Sequence, residues 1–230
     1  MKKTLNTERV FSEPIVMREP ISFYDIFKRA FDFIVSAFLI VLLSPFIILI
    51  CLVIYLETGC SPIFVQQRGL TLESPEFRIY KFRSLKNSSL TLKESSHIFR
   101  KEDLSGLVTY SGYVLRRTGL DELPQLLNVL MGEMSLVGPR PLSLWDLQMM
   151  KEDDPGLYSR RKLINSKPGI TGYWQIYGNR QKGSPDLIEA DEHYEKNKSF
   201  IFDLFLLTMT IPIIFFTKHS DAIIGKYKES

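Results

Sequence analysis

The stretch Phe33–Leu56, FIVSAFLIVLLSPFIILICLVIYL, holds no charged residue, and at 1.5 Å per residue a helix of that length reaches about 36 Å, enough for the core of a bilayer. It begins too deep in the chain and is too long for the apolar part of a cleaved signal peptide, and no small-residue cleavage pattern follows it. Ser44-Pro45 stands at its midpoint. Proline removes one N–H and crowds the preceding turn, so a kink or break is expected there, with the Ser44 hydroxyl available to a freed carbonyl. Arg18, Lys28 and Arg29 precede the segment, while Arg68, Arg78, Lys81 and Arg83 follow it, so the positive-inside rule asks for both flanks on the cytoplasmic side. A re-entrant hairpin answers both features; a kinked spanning helix and a buried core helix stay open on these residues alone.

Averaged over its whole length the chain reads as one ordinary small domain. It has 230 residues, 45% hydrophobic and 24% charged, and a mean hydropathy of −0.01, which excludes a polytopic transporter, a disordered tail or a coiled coil. A net charge of +3 is too weak for a nucleic-acid surface but suits an anionic membrane or a phosphorylated ligand. The two cysteines, Cys51 and Cys60, exclude a disulfide scaffold and a structural zinc site, and point to a reducing compartment. A second apolar run, Phe200–Phe216, carries Asp203 and Pro212. That interrupted pattern predicts a helix lying in the interface or packed in the core, not a second span.

Between the apolar runs, Pro62–Arg83 predicts a β-hairpin, IFVQQ and FRIYKFR around a turn-rich RGLTLESPE. Period two places Phe77, Ile79, Lys81 and Arg83 on one face. Lys86–Gly106 reads as a polar surface loop, with His97 exposed in it. Leu123, Leu126, Leu127 and Leu130 recur at helical spacing, predicting an amphipathic helix with Pro124 in its first turn and Asp121 at or beside its N-cap. Free N–H groups there favour an anion. Asp121 and Glu122 read equally as a plain helix start, but Arg116 and Arg117 just upstream give the set the make-up of a metal and phosphate site. Pro139-Arg140-Pro141, after Gly138, makes a stiff turn suited to a planar phosphate or uracil contact or to nothing beyond a surface turn. Lys167–Trp174 combines a tight turn with aromatics.

Taken in order, KRAFDFIVSAFLIVLLSP, FRIYKFRSL, LRRTGLDELPQLLNVLMGEMSLVGPRPL, KPGITGYWQIYG and the DEHY segment from Asp191 resemble the bacterial sugar transferases, monotopic phosphoglycosyl transferases acting on polyprenol phosphate, in their short form. The resemblance implies an α+β fold: an N-terminal re-entrant broken helix, a small β-hairpin and amphipathic interfacial helices. It divides the chain into an N-terminal extension (1–23), a re-entrant membrane helix (24–57), a cytoplasmic catalytic domain (58–217) and a C-terminal tail (218–230). It also implies transfer of a sugar 1-phosphate from a UDP-sugar to undecaprenyl phosphate with release of UMP, at the cytoplasmic face of the bacterial inner membrane, to start a surface glycan such as an O-antigen, capsule or exopolysaccharide. By resemblance Asp121 is the nucleophile and Glu122 a ligand of Mg²⁺. Lys81 and Arg116 are phosphate-side cations, the Pro139-Arg140-Pro141 turn is a nucleotide contact, and Ser44-Pro45 is the helix break. The implied partners are UDP-sugar, undecaprenyl phosphate and membrane lipids, without nucleic acid; a homo-oligomer is left open. Departures from the family pattern fall at Leu107-Val108-Thr109, at Tyr173-Trp174 and at the order Asn179-Arg180, and they bear on the sugar pocket. A membrane-anchored assembly protein without turnover and an enzyme of direct displacement are the rival readings.

Overall fold

A computed structural model describes residues 22–86, 107–179 and 182–216. The 1–21 extension, the loop at 87–106 with His97, Arg180 and the tail from 217 lie outside the described residues.

The chain opens with a 36-residue helix, α1 (Phe23–Thr58), started by a capping box between Ser22 and Asp25 and ended by Gly59 in the left-handed region. The helix runs on through Pro45, so the expected break is not an interruption of helical structure. The reason is local. Pro45 leaves the carbonyl of Val41 without its helical N–H, and the Ser44 hydroxyl donates to that same oxygen at 2.8 Å.

The hairpin forms as expected, β1 (Ile63–Gly69) antiparallel to β2 (Phe77–Phe82) in the register Ile63↔Phe82 to Arg68↔Phe77. Its two faces bury different sets: Phe77 and Ile79 join the core around Leu126, Val129 and Met134, while Phe82 packs with Ile50, Ile54 and Leu115. Arg83, just past β2, donates from Nε to the Ser61 carbonyl at 2.6 Å. The free edge of β1 takes a strand absent from the sequence reading, β4 (Leu142–Ser143).

After the 87–106 segment, Leu85 bridges Val108 and Lys86 donates its N–H to the Leu107 carbonyl. Thr109 then caps α2 (Tyr110–Thr118). A 3₁₀ turn, Leu120–Gln125, leads straight into α3 (Leu126–Met131). The predicted amphipathic helix therefore exists, but with a tighter first turn that changes its phase. Leu126 is buried while Leu127 faces out, and Asn128 and Val129 take the inward positions.

The second half packs α4 (Leu144–Asp153), α5 (Pro155–Arg161), α6 (Tyr173–Tyr177) and α7 (Ser184–Asn197) around Leu142, Leu147, Trp174, Leu187 and Ile188. Strand β3 (Ser135–Val137) pairs in parallel with β5 (Gly169–Thr171). This pairing lays the Gly138 turn against the Lys167–Gly172 segment, backbone on backbone. A Cβ on Gly169 would fall 2.1 Å from the Gly138 nitrogen, so the approach needs glycine.

The last helix, α8 (Phe200–Phe216), buries Asp203 and Leu206 and exposes Ile201, Leu204, Phe205, Met209 and Ile211. It packs against β3, β5 and α6.

Candidate active site

The local chain geometry around Asp121 departs from a simple capped helix. Helix α2 ends at Gly119, whose φ of 72° only glycine adopts readily, and the chain reverses there into the 3₁₀ turn. Gly119, not Asp121, is the N-cap of this turn, and no side chain caps it. Asp121 and Glu122 are its second and third residues, both half-buried. Arg116 sits in the last turn of α2, also half-buried, one turn and a glycine ahead of Asp121.

Strand β2 runs alongside this turn and delivers Lys81 to it. The Lys81 ammonium donates to Glu122 Oε1 at 2.6 Å, and both side chains keep about a fifth of their surface exposed. A strand and a turn separated by 41 residues thus place a cation on the acidic pair.

The juxtaposition is braced by Asn128, which is fully buried. Its Nδ2 donates to the Arg78 carbonyl at 2.6 Å and to Glu133 at 2.7 Å, and its Oδ1 accepts the Tyr80 N–H at 3.2 Å. The amide acts as a short strand on the outer edge of β2, satisfying the two backbone groups that flank Ile79. Asparagine carries a donor and an acceptor in one plane, as the ladder requires.

The Pro139-Arg140-Pro141 turn joins β3 to β4 and is buried, with Arg140 only 9% exposed. Its guanidinium carbon lies 5.3 Å from the centroid of the Trp174 ring, a cation–π contact. The surface turn considered from sequence is therefore a packed one. Asp191 accepts the Arg140 N–H at 3.3 Å, while Arg161 donates to the Arg140 carbonyl at 2.6 Å. Arg161 and Asp191 are themselves paired at 3.0 Å. Burial works against both charges, pushing the Asp191 carboxyl up to about 6 and pulling Arg161 down, and each partner offsets part of that cost.

Asn128 and Arg161 escaped the sequence reading because an isolated asparagine or arginine has no local signature of its role. Asp191 was visible as the first residue of the DEHY segment, though without a role. The described contacts join Lys81 to Glu122, whereas they tie the Pro139-Arg140-Pro141 turn to α5, α7 and Trp174. Among the described residues no group of three or more histidine, cysteine or acidic side chains forms a metal cage. Asp121 and Glu122 offer an oxygen-only donor pair, which fits Mg²⁺, a cation commonly bound through one or two carboxylates with water and substrate phosphate completing its shell.

The chain as a whole also matches known proteins. The sequence model described as bacterial sugar transferase matches residues 23–217. The exopolysaccharide production protein ExoY of Sinorhizobium fredii is 34% identical over 84% of this chain and 87% of its own length. The sugar transferase EpsL of Bacillus subtilis is 37% identical over 81% and 86%. The UDP-glucose:undecaprenyl-phosphate glucose-1-phosphate transferase of Escherichia coli is 33% identical over 80% of this chain but only 39% of its own. With the match spanning α1 through α8 and taking in the Asp121-Glu122 turn, this chain belongs to the bacterial sugar transferase family.

Proposed function

We propose that the chain is an undecaprenyl-phosphate sugar phosphotransferase that moves a sugar 1-phosphate from a UDP-sugar to undecaprenyl phosphate and releases UMP. The observation that carries the reading is the Asp121-Glu122 pair held on the 3₁₀ turn with Lys81 on Glu122. In this reading Asp121 attacks the phosphorus that bears the sugar. Its bond to the bridging oxygen of the diphosphate breaks, and that oxygen leaves with UMP. A phosphate oxygen of the lipid then attacks the same phosphorus and returns the carboxylate. Lys81 and Arg116 supply positive charge toward the phosphates, and the Pro139-Arg140-Pro141 turn meets the nucleotide. Glu122 would hold Mg²⁺, which when bound would supply positive charge to the diphosphate.

The membrane reading is re-entrant. Its support is that α1 meets one body both early and late in its length: Lys28 pairs with Asp203, Asp32 accepts from Ser135 Oγ and the Leu136 N–H, and Glu57 accepts the N–H groups of Tyr110 and Ser111. A helix crossing a bilayer would leave its ends on opposite sides. The catalytic body then faces the cytoplasm at the inner membrane, where a soluble UDP-sugar and a lipid phosphate meet. The work on which such a product would be spent is the start of a surface glycan.

The test is UMP release by the purified full chain with Mg²⁺, undecaprenyl phosphate and a panel of UDP-sugars. One donor is expected to release UMP, and Asp121→Asn to lose about a thousandfold or more of that rate. Glu122→Ala is expected to weaken the dependence on Mg²⁺; an unchanged dependence removes the metal role. Full transfer by Asp121→Asn would sink the covalent route and favour direct displacement, and silence with every donor would favour an assembly role.

A further inference from the structure

The buried ion pair Arg161–Asp191 does more than join α5 to α7. Arg161 is fully buried and uses three of its nitrogens on three different elements: Nε on the Leu70 carbonyl just past β1 at 2.6 Å, Nη1 on Asp191 at 3.0 Å, and Nη2 on the Arg140 carbonyl at 2.6 Å. Asp191 uses its other oxygen on the Arg140 N–H. The two backbone polar groups of Arg140 are thus taken by the two members of one ion pair. The prolines on either side fix their own φ angles and offer no N–H to any ladder. Parallel pairing of β3 with β5 holds the front of the turn, through Gly138 N–H to the Thr171 carbonyl and Gly169 N–H to the Pro139 carbonyl, each at 2.9 Å. The Arg161–Asp191 pair holds the peptide plane after Arg140 through its carbonyl, and shares with Gly169 the plane before it.

A buried ion pair is a poor source of stability, because desolvation of two charges consumes most of their attraction, and apolar replacements of equal volume are often as stable. Its geometry is better suited to fixing a conformation, since a planar guanidinium bonds in a fixed fork. We infer that Arg161 and Asp191 are positioning residues that set the backbone of the Pro139-Arg140-Pro141 turn, and with it the Arg140 side chain over Trp174, for contact with the nucleotide of the donor. The inference rests on the nucleotide reading of that turn given above. Neither residue touches the reacting atoms.

The experiment measures UDP binding by calorimetry to the full chain in lipid nanodiscs, together with thermal midpoints, for Arg161→Lys, for the paired replacement Arg161→Met with Asp191→Leu, and for Arg140→Ala. Arg161→Lys keeps the charge and loses the fork; the paired replacement removes both charges together and leaves no unpaired ion. Each is expected to weaken UDP binding about tenfold to a hundredfold when measured below its own thermal midpoint, which falls in the two pair variants because backbone groups at Leu70 and Arg140 lose their partners, and adding Arg140→Ala to either is expected to cost no further affinity. Unaltered UDP affinity in Arg161→Lys or in the paired replacement, beside a weakened Arg140→Ala, overturns the positioning role alone. So do losses that add in full to the loss from Arg140→Ala. Unaltered affinity in Arg140→Ala overturns the nucleotide contact itself.

Discussion

Asn128 is the residue on which the proposed catalytic geometry hangs, although it touches no reacting group. Its side chain satisfies backbone groups of β2 at Arg78 and Tyr80 from a position in α3, and so sets the distance between Lys81 and Glu122. Asn128→Leu keeps the volume and strands both backbone groups in a buried site, which is expected to cost about 2–4 kcal/mol; urea denaturation checks this, and a loss below 1 kcal/mol would show that the strand edge finds other partners. Asp191 gives a prediction in pH. Its folded-state carboxyl titrates near 6, above the ordinary 3.8, so the folded chain holds a proton that the unfolded chain has released between those values. The contribution to stability is full below about pH 4 and is lost as the pH rises through 6. Urea midpoints of the unaltered chain should therefore fall relative to those of Asp191→Asn across that window, and parallel curves would contradict the shift. The carboxyls of Glu73 and Glu192 run the other way: hydrogen bonds from Tyr158 and Arg160 hold them low, so their contributions are lost in more acidic solution.

At the scale of elements, α1 and the 3₁₀ turn decide most. Residues of α1 recur against the body along its length, Phe31, Val35, Leu39 and Ile40 on the first core and Ile47, Ile50, Cys51 and Ile54 on another. Between them and solvent the remaining side chains, among them Phe38, Val41, Leu42, Ile48, Leu49 and Leu52, stand exposed. A helix with an apolar face that no protein covers is suited to lipid. In a background of Cys51→Ser and Cys60→Ser, Phe33→Cys and Leu56→Cys, both at exposed positions, are expected to react only with reagent on the cytoplasmic side. Labelling from opposite sides would restore a spanning helix. The Leu120–Gln125 turn shows why a pattern alone mislaid one leucine: with three residues per turn before α3 begins, the inward face advances by less than helical periodicity assumes. Leu127 and Met131 consequently look outward, and Asn128 looks in.

Across the whole molecule, the two apolar helices are fastened to each other and to the catalytic body by buried polar groups. Asp203 of α8 accepts from Lys28 at 2.7 Å, from Tyr24 at 2.8 Å and from Tyr194 of α7 at 2.8 Å, which explains an acid inside an otherwise apolar run. The outward face of α8 is free for lipid. Phe205→Glu with Met209→Glu is expected to leave folding intact and to weaken liposome binding roughly tenfold or more; unchanged flotation with liposomes would show that α1 alone holds the chain. Much of this protein is decided by its sequence without reference to long-range contacts. An uncharged run of two dozen residues has to be a helix shielded from water, period two fixes the hairpin faces, and an unbroken LDELPQLLNVL with GPRP marks the family. Those features depend on near neighbours, and near neighbours are what a sequence lists. The tertiary structure alone decided that Lys81 meets Glu122 and that Arg161 and Asp191 grip the backbone of Arg140. These contacts join residues 21 to 51 positions apart. Each depends on a distance and an angle set by packing, and a single polar side chain carries no periodicity from which such a partner can be read.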